Sequence, residues 1–347
     1  MRRTADEVCC AVRFRRGLKW LAFPLALLLL AACVRRQEAH TLRLAHVLDV
    51  GHPVHRAMAH MGNRLEELSG GRMVLVIYPG GQLGGERECV ELLQLGSLDM
   101  TKVASSVIEN FVPAMGVYSL PYLFRDQEHY WQVFNGDVGR EILLQGEQHW
   151  LRGMCYYDAG FRNFITRDRR VEKPQDLGGL KIRSMKSNIQ IQTINALGGH
   201  ATPMALGELY TAIQQGVVDG ADGNPPTMVA SRFHEITKFY ILDEHSAPPD
   251  VLLMSSHTWE KLTEEERSWI ETAVEESVDY QRTLWNESSQ KALETIEAGG
   301  VVVVRPDKRP FEKAVQSLYG QLKGSDLYEW AKRIRETGIS STPGENR

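Results

Sequence analysis

A helix end, a glycine and a strand start follow one another in the segment Val90-Glu91-Leu92-Leu93-Gln94-Leu95-Gly96-Ser97-Leu98-Asp99. The same layout recurs 120 residues later in Tyr210-Thr211-Ala212-Ile213-Gln214-Gln215-Gly216-Val217-Val218-Asp219, with Gln, Gly and Asp at equivalent positions. A glycine at a helix C-terminus is common, so one copy by itself indicates little. Two matching copies favour two related α/β lobes.

The sequence around the first copy alternates strands with helices. Residues 42–46, 73–78 and 98–104 have strand patterns, and helices are predicted from Pro53 to the stop at Gly70-Gly71 and over 86–95. Strands separated by helices of about ten residues predict an α/β fold, with a mostly parallel sheet covered by helices on both faces.

A long helix is predicted near the C-terminal end. Thr263 and Glu266 form a capping-box pattern, and the next glycine stop is Gly299-Gly300. At about 1.5 Å per residue, such a helix is about 50 Å long, enough to bridge both lobes. The alternative is two shorter helices broken near residues 286–289. Residues 301–304 follow as a strand.

The N-terminal segment has the features of an export signal. The basic residues Arg13, Arg15, Arg16 and Lys19 precede the apolar run 21–32, which ends at Leu30-Ala31-Ala32-Cys33. The run is shorter than the roughly 20 residues that span a bilayer, but it fits a signal peptide. The ending resembles a lipoprotein signal, in which Cys33 is lipidated. The alternative is an ordinary secretory signal. Either interpretation predicts a mature chain that works outside the cytoplasm.

Composition narrows the classes of partner. Residues 1–32 contain six of the 40 Lys and Arg and two of the 44 Asp and Glu, so the mature chain has a net charge of −8. A nucleic-acid-binding surface would be basic, so no nucleic-acid partner is expected. An anionic ligand must therefore be attracted by local arginines. Cys89 and Cys155 are interpreted as two unpaired, partly buried thiols; the alternative is a disulfide between them, because an exported chain folds in an oxidising compartment.

The sequence lacks the common motifs of enzymes and metal sites, so it does not indicate a catalyst. The sequence has no GxSxG, HExxH or Walker A motif, and no GxGxxG between a strand and a helix. The histidines of the first half (His46, His52, His55, His60 and His129) have no convincing metal-ligand spacing. His52 and His55 are interpreted as solvated residues at a helix start. No metal, cofactor or catalytic residue is expected.

Two arginines are better candidates for a binding site. Arg162 follows Gly160 in a strand pattern, and Arg183 ends the strand 180–183, just before a helix that starts near Ser187. Ligands in open α/β sheets bind at the carboxyl ends of strands, and guanidinium binds carboxylates with two hydrogen bonds. The segment 219–226, which contains Asn224, is interpreted as another strand-end loop. The alternative is that each arginine pairs with a structural acid, and that the loop is an ordinary turn.

These motifs together resemble the DctP-type solute-binding subunits of tripartite ATP-independent periplasmic (TRAP) transporters. The resemblance extends over about residues 42–304 and includes several motifs in order: Tyr78-Pro79-Gly80-Gly81-Gln82-Leu83-Gly84, Gly160-Phe161-Arg162-Asn163, Leu177-Gly178-Gly179-Leu180-Lys181-Ile182-Arg183, Thr202-Pro203-Met204-Ala205, Glu208-Leu209-Tyr210, Gln215-Gly216-Val217-Val218-Asp219-Gly220 and Asn224-Pro225.

The resemblance implies a two-lobed periplasmic binding protein fold, with a hinge and a long lobe-spanning helix. The implied organisation is a signal peptide over 1–33, a first lobe from 41–159 plus 249–285, a second lobe from 160–248 plus 286–325, and a C-terminal tail over 326–347. The implied function is to capture one organic acid in the periplasm and deliver it to membrane permease subunits, with a lipid anchor if Cys33 is modified.

The family pattern also implies the ligand-binding residues. Arg183 matches the arginine that pairs with the ligand carboxylate, and Arg162 and Asn224 match two further binding positions. The other implied contacts are Asp222, Glu86, Lys102, Ser105 and His46. Residues 100–103, 222–226 and 242–246 look most like members that bind sugar acids such as glucuronate or galacturonate. Gly223 departs from the asparagine expected there, which puts one hydroxyl contact in doubt.

Other functions remain open from the sequence. Sialic acid is disfavoured, because its binders have an acidic residue in the region of Ala104-Ser105. C4-dicarboxylates or keto acids are the alternative ligands of the same transport system. A ligand sensor for a membrane signalling partner would use the same fold. An exported enzyme would require an acid–base or nucleophile pair beside Arg183, and no motif provides one.

Overall fold

The computed structural model describes residues 39–338. The strands are β1 His40–Ala45, β2 Met73–Tyr78, β3 Met100–Ala104, β4 Leu151–Tyr157, β5 Arg162–Thr166, β6 Lys181–Ser184, β7 His200–Pro203, β8 Gly220–Gly223, β9 Phe239–Ser246, β10 Asp250–Ser255 and β11 Val302–Val304. The α-helices are α1 Pro53–Ser69, α2 Glu86–Gln94, α3 Ser105–Ile108, α4 Gln127–Asn135, α5 Asp137–Leu144, α6 Asn188–Ala196, α7 Leu206–Gln214, α8 Pro225–Ala230, α9 Ser256–Trp259, α10 Glu264–Ala298, α11 Arg309–Gln321 and α12 Asp326–Glu336. Within these residues, none of the helices has both the length and the hydropathy that a bilayer crossing needs.

The strands form two sheets, one in each lobe. The first lobe has the order β2-β1-β3-β10-β4, and the second has the order β11-β9-β5-β8-β6-β7. Two segments connect the sheets, residues 158–161 between β4 and β5 and residues 247–249 between β9 and β10. We call these two segments the hinge. The two-lobed α/β fold predicted from the sequence is confirmed.

The sheets are mixed rather than mostly parallel, which corrects the expectation from the sequence. β10 is antiparallel to both β3 and β4, and β5 is antiparallel to both β8 and β9. The reason is the hinge, because β5 and β10 are the strands that enter each lobe directly from the other. They start at the cleft where their neighbours end, so they run in the opposite direction.

The repeated helix–glycine–strand step is the same in both lobes. Gly96 and Gly216 have φ values of 66° and 73°, which glycine adopts without a steric cost. Asp99 accepts a hydrogen bond from the N–H of Arg43 (2.9 Å), and Asp219 accepts one from the N–H of Lys181 (2.8 Å). In each lobe the aspartate therefore attaches the turn to the neighbouring parallel strand. The strands begin just after these aspartates, later than predicted, so Asp222 lies within β8 and not in a loop.

The long helix α10 is continuous over 35 residues, so the alternative of two shorter helices is wrong. The Thr263 and Glu266 side chains each accept the other's backbone N–H at its start, as the capping-box pattern predicts. Buried side chains lie on both sides of residues 286–289, with Trp285 before them and Ala292 after them. Packing on both sides keeps the polar stretch helical.

Helix α10 also holds the hinge. The Gln281 side chain accepts a hydrogen bond from the N–H of Asp158 (3.0 Å) and donates one to its carbonyl oxygen (2.8 Å). One helical turn further on, Trp285 packs over Gly160, which has a φ of 63°. A Cβ atom on Gly160 would lie 3.0 Å from Cζ2 of Trp285. The hinge therefore requires glycine for both its backbone angle and this contact.

The segment predicted as a C-terminal tail contains a packed helix. In α12, Ala331 and Ile334 are buried in the core of the first lobe, and Arg333 pairs with Glu141 of α5. The described part of this segment ends at Gly338.

The contact between Gly160 and Trp285 predicts a specific loss of stability. We expect Gly160→Ala to lower the free energy of unfolding by about 1–3 kcal/mol, because alanine resists a positive φ and its methyl group meets Trp285. Gly300→Ala is the matched control, since Gly300 also has a positive φ (84°) but has no atom within 4 Å of the added Cβ. Urea unfolding of both variants measures the difference. Equal losses would mean that the indole of Trp285 does not exclude a methyl group at position 160.

Candidate functional site

A cavity of about 390 Å³ lies between the lobes, at the carboxyl ends of the parallel strands. It is lined by six of the side chains proposed from the sequence: Arg183, Arg162, Asn224, Asp222, Glu86 and Lys102. Other lining residues belong to the loop after β1, to the start of α7 and to the hinge. The fold therefore brings together residues that are up to 203 positions apart in the chain, from Val47 to Asp250.

Arg183 is buried at the end of β6, with only 4% of its surface exposed. Its Nε donates a hydrogen bond to the carbonyl oxygen of Met204 (3.0 Å). Within residues 39–338, no carboxylate lies within ion-pair distance of its guanidinium. Burial lowers the pKa of Arg183 to about 10, because a buried cation without a paired anion is unfavourable. The terminal nitrogens of this guanidinium are thus suited to an anionic ligand.

Arg162 differs, because its charge is already paired inside the protein. Its Nε donates to Oδ2 of Asp222 (2.5 Å), and its Nη2 donates to the Asp222 carbonyl oxygen (2.8 Å). The alternative stated from the sequence, an arginine paired with a structural acid, therefore describes the protein contacts of Arg162. Arg162 still lines the cavity beside Arg183 and adds positive charge there.

One carboxylate oxygen of Asp222 accepts a hydrogen bond from Arg162, and the other has no protein partner. Oδ1 is buried and makes no hydrogen bond. Burial by itself would raise the pKa of Asp222, but the charge and hydrogen bond of Arg162 and the nearby His245 hold it well below its usual range. Asp222 is therefore ionised, and its Oδ1 can accept a hydrogen bond from a ligand hydroxyl.

His245 completes this buried network. Its Nδ1 lies 2.8 Å from Oδ2 of Asp243, and its Nε2 lies 3.5 Å from Oδ2 of Asp222. Burial by itself would lower the pKa of His245, but the charge of Asp243 and the hydrogen bonds to both carboxylates raise it to about 9. The imidazolium also stacks on Phe164, with ring centroids 4.4 Å apart.

A second charged group lies on the first-lobe side of the cavity. Lys102 Nζ donates to Oδ1 of Asp250 (2.9 Å) and to Oε1 of Glu86 (3.2 Å). Burial by itself would lower the pKa of Lys102, but these two carboxylates raise it. We call these three residues the lysine group. Two carboxylates around one ammonium give it a net negative charge.

Asn224 lies at the start of α8 and has two contacts within the protein. Its Oδ1 accepts a hydrogen bond from the N–H of Thr227 (2.9 Å), and its Nδ2 donates to the carbonyl oxygen of Ala159 in the hinge (2.9 Å). This asparagine therefore caps the helix and ties it to the hinge. One amide hydrogen is left for a ligand.

His52 was interpreted from the sequence as solvated, but it is 3% exposed and lines the cavity. Its Nδ1 accepts from the N–H of Val54, so its single proton is on Nε2, which donates to Oγ1 of Thr227 across the cleft (3.3 Å). Burial and the charge of Lys102 lower the pKa of His52 to about 3, so it is neutral.

Sequence reasoning missed His52, Thr227 and Asp250 as cavity residues. The helix-start position of His52 and the location of Thr227 three residues after Asn224 were the only available signals. No sequence signal indicated Asp250, because its contact with Lys102 depends on the antiparallel pairing of β10 with β3.

Two residues predicted for the site are not part of the cavity lining. His46 is buried behind it, where its Nδ1 accepts from the N–H of Leu48 and its Nε2 lies 2.9 Å from Nδ1 of His55. Ser105 is fully buried at the start of α3, where its N–H donates to the carbonyl oxygen of Pro249. Each is next in the chain to a lining residue, Val47 or Ala104, but does not line the cavity itself.

The remaining candidates concern cysteines and metals. Cys89 and Cys155 are both buried and unpaired in the structure. Across residues 39–338, no cluster of His, Cys, Asp or Glu is arranged to hold a metal ion. The predicted signal segment and Cys33 lie outside the described residues.

Two α/β lobes that enclose a cavity with a buried cation lacking an ion-pair partner define a binding protein for small anions. The family model of DctP, bacterial extracellular solute-binding protein family 7, matches residues 44–325. The chain belongs to this family. It is therefore the periplasmic solute-binding component of a TRAP transporter and not an enzyme, and it delivers a small organic acid to membrane permease subunits.

Individual relatives agree with this assignment. The uncharacterized protein YiiZ of Salmonella typhimurium is 39% identical over 297 residues, which cover 85% of this chain and 90% of that protein. A TRAP solute-binding protein of Bradyrhizobium sp. BTAi1 in complex with galacturonate is 39% identical, with a TM-score of 0.83, over 86% of this chain and 100% of that one. A Citrobacter koseri protein with bound D-glucuronate is 35% identical, with a TM-score of 0.81, over 85% and 98%.

The raised pKa of His245 predicts how stability depends on pH. The folded protein holds the proton up to about pH 9, whereas an unfolded histidine releases it near pH 6.5. Between these values the unfolded chain binds fewer protons, so the free energy of unfolding should fall as the pH rises. Urea unfolding from pH 6 to 9 should give a steeper decline for wild type than for His245→Gln.

Histidine titration by NMR checks the same assignment in the wild-type protein, even if the variant folds poorly. A His245 signal that titrates near pH 6.5, together with equal slopes for the two proteins, would show that the imidazolium is not held by the two aspartates.

Proposed function

We propose that the cavity binds a monocarboxylate sugar acid of the glucuronate or galacturonate type. The observation that carries this proposal is the buried guanidinium of Arg183, which has no anionic partner within the described residues. The ligands of two solved relatives, galacturonate and D-glucuronate, support the same class.

The ligand carboxylate pairs with the terminal nitrogens of Arg183 in this proposal. A guanidinium offers two parallel donors that match the two oxygens of a carboxylate. Arg162 is next to it and adds positive charge, although its own hydrogen bonds go to Asp222. The carboxylate therefore neutralises a charge that the protein leaves unpaired.

The hydroxyls of a sugar acid fit the remaining polar groups. Oδ1 of Asp222 needs a donor, and the free amide hydrogen of Asn224 needs an acceptor. A hydroxyl group supplies either role. A small keto acid has no hydroxyl for Asp222, so this buried oxygen would remain unsatisfied, which is costly.

The lysine group disfavours a second carboxylate. Lys102 is already paired with Glu86 and Asp250, so another anion on this side of the cavity would meet a net negative charge. Hydroxyl groups can donate to the same two carboxylates. The two sides of the cavity therefore favour a monocarboxylate with several hydroxyls over a C4-dicarboxylate.

A thermal-shift screen tests both the ligand class and the role of Arg183. Refolded protein without co-purified ligand should be stabilised by D-galacturonate or D-glucuronate, but not by succinate, pyruvate or sialic acid. Arg183→Ala should weaken binding by about 30-fold or more, and Arg183→Lys should also bind poorly, because an ammonium lacks the bidentate geometry. Calorimetry measures the dissociation constants.

Arg305→Ala is the matched control, since Arg305 is an exposed arginine of the second lobe that pairs with Glu297. It should bind like wild type. A shift with succinate alone would replace the sugar acid with a dicarboxylate. Near-normal binding by Arg183→Ala would remove that residue from the carboxylate site.

We also propose that the mature protein is lipid-anchored through Cys33. The support is the sequence Leu30-Ala31-Ala32-Cys33 at the end of the apolar run. Cells expressing the full chain should incorporate labelled palmitate into the protein, and Cys33→Ala should abolish the label and move the protein from the membrane to the soluble periplasmic fraction. An unlabelled, soluble wild-type protein would leave the segment as an ordinary secretory signal.

A further inference from the structure

A second set of contacts joins the lobes beside the cavity, between the region of α3 and the start of α6. Glu109 follows α3 in the first lobe, and its carboxylate reaches α6 in the second. Oε2 accepts a hydrogen bond from Oγ of Ser187 (2.8 Å), and Oε1 accepts one from the N–H of Asn188 (2.6 Å). Asn188 is the first residue of α6, so this N–H has no partner within the helix. The partial positive charge of the helix start further favours a carboxylate.

Neighbouring side chains extend this contact. Asn110 Nδ2 donates to the carbonyl oxygen of Lys186 (2.8 Å), and Gln190 Nε2 donates to Oγ of Ser106 (3.2 Å). These hydrogen bonds join α3 and the residues just after it to residues 186–190, which lie just before and within the first turn of α6. The connection is therefore a small cross-lobe surface rather than a single ion contact.

The same surface is linked to the binding site through the chain. Only residues 184–186 separate Arg183 from Ser187, and Met185 and Lys186 line the cavity. Any movement of the second lobe that brings Arg183 towards the first lobe also brings Ser187 towards Glu109. Glu109 itself does not line the cavity, so it acts without touching a ligand.

We propose that Glu109 is a latch that holds the lobes closed and so determines how long the ligand stays bound. It is a positioning residue, because its hydrogen bonds form only when the lobes are together. Loss of these contacts destabilises the closed state relative to the open one, while the first encounter between ligand and open cleft is unchanged. The proposal rests on the proposed function, since it assumes that the cavity releases a ligand when the lobes separate.

The test compares binding kinetics by stopped-flow tryptophan fluorescence, with D-galacturonate and D-glucuronate as probes. Glu109→Gln should raise the dissociation rate about tenfold and leave the association rate within about twofold of wild type, because charged hydrogen bonds are lost only from the closed form. Ser187→Ala should act in the same direction. In the double variant the two effects should be less than additive, because they remove the same contact.

Asp176→Asn is the matched control. Asp176 accepts hydrogen bonds from the N–H groups of Glu172 and Lys173, so it has the same chemistry inside the second lobe without a cross-lobe partner. It should keep wild-type rates. Wild-type dissociation rates in both Glu109→Gln and Ser187→Ala would overturn the latch, even though the protein binds the uronates.

A failure of the proposed ligand is distinguishable from a failure of the latch. If wild type binds neither uronate, the ligand class is wrong, and the latch is tested on ligand-free protein by spin-label distances between exposed cysteines introduced at Glu67 and Lys173. Glu109→Gln should then shift the distribution between the lobes to longer distances than in wild type. An unchanged distribution would overturn the latch.

Discussion

The structure depends on one unfavourable feature, the guanidinium of Arg183 buried without a protein carboxylate at ion-pair distance among the described residues. A cation removed from water is costly unless a counter-charge accompanies it, and the described residues place only the Met204 carbonyl oxygen in direct contact with this guanidinium, at Nε. Asp222 acts on it only from beyond ion-pair distance. The lobes therefore enclose a site that is electrostatically incomplete. In the proposed function, an anion that enters the cleft supplies the missing charge, so ligand binding and lobe closure stabilise each other.

Near the cavity, the other buried charges described below are paired, so the missing counter-charge is confined to Arg183. Arg162 is paired with Asp222, and His245 lies between Asp222 and Asp243. Lys102 is paired with two carboxylates. These pairs fix side chains that would otherwise move, and they leave a positive second-lobe side facing a negative first-lobe side. The fold supports this arrangement because the strands β5 and β10 start at the cleft, directly after the hinge.

Sequence patterns predicted the local elements well and the pairing of charges poorly. The caps of α10, the glycine stop of α1 and the repeated turn at Gly96 and Gly216 depend on contacts within a few residues, so the chain itself reveals them. The mixed sheet direction was not predicted, because it depends on which strands cross the hinge. His46 and Ser105 were assigned to the site from a family pattern, but their side chains do not line the cavity.

The sequence by itself determined the α/β class, the two repeated lobes, the long helix and the arginine at the strand end. These follow from periodicity, caps and turn glycines, which are local properties. Only the tertiary structure decided which arginine is free, because Arg162 finds its acid 60 residues away in Asp222 while Arg183 finds none. The same holds for Glu109 and Ser187, which are 78 residues apart. Long-range packing brings such groups together, and no local pattern encodes their distance.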